Sequence, residues 1–146
     1  NMAKDYMEGV KMLSNMRLCS NVPAQSIVQT ALGGHQSVLD YVVPGGRIYE
    51  QREYIYKALT DIPGISAVKP KAAFYIFPKI DVKKFRLVDD EKFALDLLRD
   101  KKILLIHGGG FNWHRPDHFR VVYLPRIEVL KESMEKITDF FSYYHQ

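Results

Sequence analysis

Arg120 is the residue whose type and surroundings carry the most chemistry. It stands in an otherwise apolar run, Phe119-Arg120-Val121-Val122-Tyr123-Leu124, shortly after a glycine-rich stretch. A guanidinium in such a run loses hydration, which costs free energy unless an anion answers it. Two answers are open: a bound carboxylate or phosphate gripped by the planar fork, or an internal ion pair with an Asp or Glu. His107-Gly108-Gly109-Gly110 has the form of an oxyanion-hole loop. That chemistry also needs a G-x-S-x-G nucleophile elbow, and the chain has none, so a hydrolase is excluded. The glycines are expected to let the backbone turn sharply after a buried strand. His107, His114 and His118 cluster in sequence beside Asp117, but Pro116 and the glycines oppose the helix that would align a metal-binding pair. No metal site is expected. Cys19 has only Arg17 nearby to activate it and reads as a small buried or half-buried residue. Lys71 to Phe77 places aromatics behind a lysine, as an RNA-recognition strand does, yet Ala72 stands where that motif needs glycine. Phe74, Ile76 and Phe77 are therefore assigned to the core.

The chain has 146 residues, near the size of one domain, and 47% hydrophobic with 26% charged residues exclude disorder and fibrous repeats. No apolar run approaches the roughly 18 residues needed to cross a bilayer. One cysteine excludes an internal disulfide. The start of the chain has no basic-then-apolar signal peptide, and it begins with Asn1 rather than methionine, which points to a trimmed chain or a piece of a longer one. Charges number 21 basic and 17 acidic, a net +4, and the signs are interleaved. Lys79, Lys83, Lys84 and Arg86 are followed at once by Asp89, Asp90 and Glu91. This is a solvated mixed surface, without the one-signed stripe of a nucleic-acid binder.

The elements that must hold Arg120 follow from periodicity. Residues 3–16 carry Tyr6, Val10 and Leu13 on one helical face. Pro23 starts a second helix to Leu32, closed by Gly33-Gly34. Residues 35–43 are ambiguous between a helical turn and an extended Tyr41-Val42-Val43, and Pro44-Gly45-Gly46 is a break. A helix over 47–60 places Ile48, Ile55 and Leu59 on one face. Then the period changes: 65–68 and 74–77 read as two short strands joined by Lys69-Pro70-Lys71, a hairpin-like pair. Asp89 or Asp90 caps a helix containing Phe93, Leu97 and Leu98, and Ile103–Ile106 reads as a buried strand. Residues 119–124 form another strand, and Ile127, Leu130, Met134, Ile137, Phe140 or Phe141 and Tyr144 mark a final helix. The expected fold is α+β, a small antiparallel or mixed sheet covered by helices, with two leading helices standing apart.

Four stretches carry a family resemblance. GGGFNWHRPDHFRVVYLP (Gly108 to Pro125), NMRLCSNVPAQSIVQTALGG (Asn15 to Gly34), PKAAFYIFPKID (Pro70 to Asp81) and PGGRIYEQR (Pro44 to Arg52) resemble, in order, the C-terminal part of fold-type I, pyridoxal-phosphate-dependent aminotransferases of class I/II. They are most similar to the bacterial alanine (glutamate–pyruvate) transaminase branch. The resemblance implies that Arg120 pairs with the substrate α-carboxylate and that Ala72 and Ala73 lie near the substrate side chain. Asn21 and Pro23 match a segment near the active site and dimer interface. It implies residues 1–34 as interface helices and 35–146 as the small C-terminal domain. Pyridoxal 5'-phosphate, amino-acid and 2-oxo-acid substrates, a homodimer and a cytoplasmic location follow for the intact enzyme. The family's catalytic lysine, usually preceded by serine, has no match, since no lysine here follows a serine. No catalytic residue is therefore expected within these 146 residues, and the chain alone is expected not to transaminate or to bind the cofactor. The competing expectation is a free-standing ferredoxin-like module in which Arg120 holds a regulatory amino acid. Exposed apolar faces on the leading helices would count against it.

Overall fold

The computed structural model describes residues 2–17 and 19–146. Two compact units divide it, one up to Val38 and the other from Leu39 to Gln146. The first contains α1 (Met2–Asn15) and α2 (Val22–Gly33). Asn21 caps α2, its side-chain oxygen accepting from the Ala24 N–H at 3.2 Å, and proline occupies the first turn, where a missing N–H costs nothing. No residue of α2 is buried. On α1 the predicted apolar face is formed but uncovered, with Tyr6 and Leu13 about two-thirds exposed or more (72% and 68%). Cys19, expected to be at least half-buried, is exposed. None of the described helices is long and apolar enough to cross a membrane.

A short helix, α3 (Val38–Val42), resolves the ambiguous stretch and leads to α4 (Arg47–Thr60). Gly45 (φ +86°) makes the turn, and a Cβ on the next glycine, Gly46, would lie 2.3 Å from the Asp40 carbonyl oxygen. In α4 the inward face is Gln51, Ile55 and Leu59. Asp89 caps α5 (Asp90–Lys101), accepting from the Lys92 N–H at 2.9 Å, and Phe93 and Leu97 point into the core. The last helix, α6 (Ile127–Tyr143), buries Leu130, Met134, Ile137, Phe140 and Phe141. One hydrophobic cluster joins α4, α5 and α6 to Ile76 and Phe119 of the sheet, with Phe93 ringed by Phe119, Phe140, Phe141 and Tyr144.

The strands depart from expectation in pairing. β1 (Ile65–Ser66) pairs antiparallel with β3 (Lys79–Ile80), while β2 (Tyr75–Ile76) joins β5 (Phe119–Val122). β4 (Ile106–His107) takes the other side of β5, giving an antiparallel sheet of order β2-β5-β4. The predicted hairpin across Lys69-Pro70-Lys71 is therefore absent. Each of its strands finds a partner distant in sequence, and buried Pro78, which has no N–H, separates the two ladders. Nor is Ile103–Ile106 a buried strand: Leu104 is exposed, Leu105 is buried, and Ile106 sits half out on the edge strand β4. The class is α+β as expected, but the element order is not the βαββαβ of a ferredoxin-like module.

Candidate functional site: an aromatic cradle around Arg120

β5 is the central strand, so its residues alternate between two faces. Phe119 and Val121 turn inward, the former completely buried. Arg120 points the other way. It shares the outer face with Ile106, its direct partner on β4, and with Val122, which pairs with Tyr75. The half-burial of Arg120 thus comes from neighbours on that outer face rather than from the hydrophobic core. Its guanidinium carbon lies 4.7 Å from the Tyr75 ring centre and 4.4 Å from that of Phe111. Among the described residues no carboxylate pairs with it, and its Nε is buried with no hydrogen-bond partner. The internal ion pair left open by the strand's composition is not formed. A half-buried cation with a buried Nε and free donors is suited to receive an anion.

The glycines carry the second ring. They form a 3-10 turn, Gly108–Phe111, closed by Asn112 in the left-handed region (φ 58°). They turn the backbone directly after β4, as expected, but none of the three has positive φ, so what they supply there is room. A Cβ on Gly108 would sit 2.9 Å from the His118 carbonyl oxygen, which accepts the Gly108 N–H at 2.7 Å. Asp90, in the first turn of α5, accepts the Gly109 N–H at 2.8 Å. His107 Nδ1 lies 3.4 Å from the same carboxylate without hydrogen-bond geometry.

Behind the turn stands a second cluster. Asp117, 5% exposed, accepts from Trp113 Nε1 at 2.8 Å and lies 2.6 Å from His118 Nδ1, with Lys79 at 3.8 Å. Burial alone would push the Asp117 carboxyl up. The Trp113 and His118 hydrogen bonds and the nearby positive charge outweigh burial and hold it below the ordinary range. His118 stacks on Phe77 at 4.9 Å, and Phe77 meets Phe111 edge-on at 6.1 Å. The three histidines do not converge, and no group of His, Cys, Asp and Glu suited to a metal exists among the described residues.

Ala72 and Ala73 precede β2 and line a separate cleft of about 160 Å³ with Tyr49, Arg52 and Tyr123. Ala73 is left-handed (φ 59°), an uncommon state for a residue with a Cβ, and its carbonyl accepts the Tyr123 hydroxyl at 3.0 Å. Asn21 caps α2, as described, and belongs to the first unit. Sequence reasoning singled out Arg120 but gave no sign of Tyr75 and Phe111 against it, or of Asp90 at the turn. Their contacts depend on strand pairing and on a turn anchored to another helix, neither of which leaves a periodic signal.

The profile of aminotransferases of class I and II matches residues 4–137. The chain belongs to this family. The glutamate-pyruvate aminotransferase AlaA of Haemophilus influenzae is 58% identical over 144 residues, and that of Escherichia coli is 54% identical. An alanine aminotransferase of Mycobacterium tuberculosis is 49% identical. These alignments cover 99% of this chain but only 34–36% of the relatives, so the chain spans about a third of their length. Among solved structures, an Escherichia coli aminotransferase superposes with a TM-score of 0.84 at 53% identity, over 100% of this chain and 36% of that one. An alanine aminotransferase from Pyrococcus furiosus gives 0.74 at 41% identity, over 97% and 35%.

Family membership implies pyridoxal phosphate in full-length aminotransferases. The donor set described here does not fit that group. Every described lysine is exposed except Lys101, and Lys101 is held by Asp139 at 2.7 Å. The Asp139 hydrogen bond raises its pKa above the usual lysine range, the reverse of what an amine that must act as a nucleophile needs. No step through the cofactor is assigned to this chain.

Proposed function

We propose that this chain is the C-terminal part of a pyridoxal-phosphate-dependent aminotransferase that exchanges an amino group between alanine or glutamate and a 2-oxo acid. Residues 35–146 serve as the small domain that closes over substrate, and residues 1–34 contribute interface helices. The cofactor-holding residues belong to the remainder of the protein, and the intact enzyme works as a cytoplasmic homodimer. Arg120 holds the substrate α-carboxylate, and Ala72 and Ala73 border the substrate side chain.

One observation carries this reading: a half-buried guanidinium on the outer face of the sheet, with a buried Nε and no acid among the described residues to meet it. A carboxylate offers two oxygens to the planar fork, and lysine has no equivalent geometry. The identity to named alanine aminotransferases supports the choice of reaction. The test is Arg120→Ala in the full-length protein. Losing a charge-assisted pair in a half-buried site is expected to lower kcat/KM by about 10- to 1,000-fold, mostly through KM. Near-normal kinetics would overturn the assignment.

A further inference from the structure

We propose that Phe111 and Tyr75 form an aromatic clamp that positions the Arg120 guanidinium and sets how tightly it grips a carboxylate. This inference rests on the carboxylate-binding reading of Arg120 and adds two positioning residues to it. Both rings lie within cation–π range of Cζ, at 4.4 and 4.7 Å. Aromatic carbon covers part of the cation but takes up few of its N–H donors. Nε remains buried and unpartnered between groups that cannot satisfy it. Such a cation has more to gain from an arriving anion than a hydrated one, because the local dielectric is lower.

The rings are themselves held. Tyr75 is fixed by the β2–β5 register, which places it opposite Val122 and diagonal to Arg120 on the same face. Phe111 closes the 3-10 turn that Asp90 and the His118 carbonyl anchor, and its ring edge meets Phe77. Phe77 in turn stacks on His118, which Asp117 fixes. The clamp is therefore linked to a buried acid through packed rings rather than left to a free loop.

The experiment compares Phe111→Leu, Phe111→Trp and Tyr75→Leu in the full-length holoenzyme, with Arg120→Lys as the reference. The readouts are KM and kcat for the amino acid and the 2-oxo acid, with cofactor absorbance and melting temperature as folding controls. Leucine fills space without a ring quadrupole. Phe111→Leu and Tyr75→Leu are each expected to raise KM about 3- to 30-fold with kcat changed less than about twofold, and Phe111→Trp to stay close to the parent. If Arg120→Lys raises KM while both leucine variants keep the parental KM, the clamp is overturned and the carboxylate reading survives. If Arg120→Lys itself leaves KM unchanged, the carboxylate reading fails and the clamp with it. A kcat loss shared by leucine and tryptophan variants alike would mark the rings as plain packing, which also overturns the clamp.

Discussion

At the scale of single residues, the molecule sets two ionised groups in opposite circumstances. Arg120 is half-buried with no acid partner among the described residues, whereas Asp117 is buried and answered by Trp113, His118 and Lys79. An unanswered charge is a place for a ligand, and an answered one is a fixed support. The second case makes a prediction about acid. Because its folded-state pKa is lowered, Asp117 contributes stability that is present above the ordinary carboxylate pKa and lost as pH falls through the lowered value. The full-length protein is expected to lose resistance to denaturant below about pH 4. In Asp117→Asn the midpoint at pH 7 should drop, and the further decline toward pH 3 should be shallower. An equal acid slope in the two proteins, read from urea midpoints at both pH values, would remove Asp117 from this role.

At the scale of elements, most helix boundaries are set by local chemistry. Asp89 satisfies the Lys92 N–H at the start of α5, and Gln146 Oε1 accepts the N–H groups of Val88 and Asp89 at 2.8 and 2.9 Å. Gln146 thereby ties itself to the segment that begins the helix carrying Asp90. Removing the cap with Asp89→Ala is expected to cost about 1 kcal/mol in urea unfolding, and Asp89→Asn a few tenths, because asparagine keeps a capping oxygen. Equal stability of the alanine variant and the parent would show that the cap contributes nothing. Strands obey different rules. β1, β2, β3 and β4 have two residues each, too few to display a period, and every ladder pairs residues at least a dozen positions apart.

At the scale of the whole molecule, the notable feature is uncovered apolar surface on the first unit. Met12, Leu13, Met16, Val22, Ile27 and Leu32 are all more than 60% exposed. Scattered exposed apolar residues are ordinary, but two helices bearing this many point to burial against other protein. That fits a chain spanning about a third of its relatives' length, 36% for the Haemophilus influenzae one. Residues 1–146 prepared alone are expected to self-associate in light scattering and to bind a hydrophobic dye. Polar replacement of Leu13, Ile27 and Leu32 should reduce both. A stable monomer of 16.9 kDa with no dye binding would contradict the reading.

The sequence by itself determined the five longer helices, the α+β class and the one chemically conspicuous cation, while α3 was left open. Caps, prolines and a 3.6-residue period act between near neighbours, so they are readable in one dimension; α4 occupies 47–60 as its pattern requires, and Asp89 caps α5. Only the tertiary structure decided which strands pair, which way Arg120 faces and what surrounds it. Tyr75 and Phe111 lie 45 and 9 residues before it in the chain, and nothing local marks either as its neighbour. Ile106 looked like core because its run is apolar, yet it shares the outer face with Arg120, since side chains alternate along a strand and register chooses the face. Hydrogen-bond register is a property of two strands at once, which is why the cation was legible in the sequence and its cradle was not.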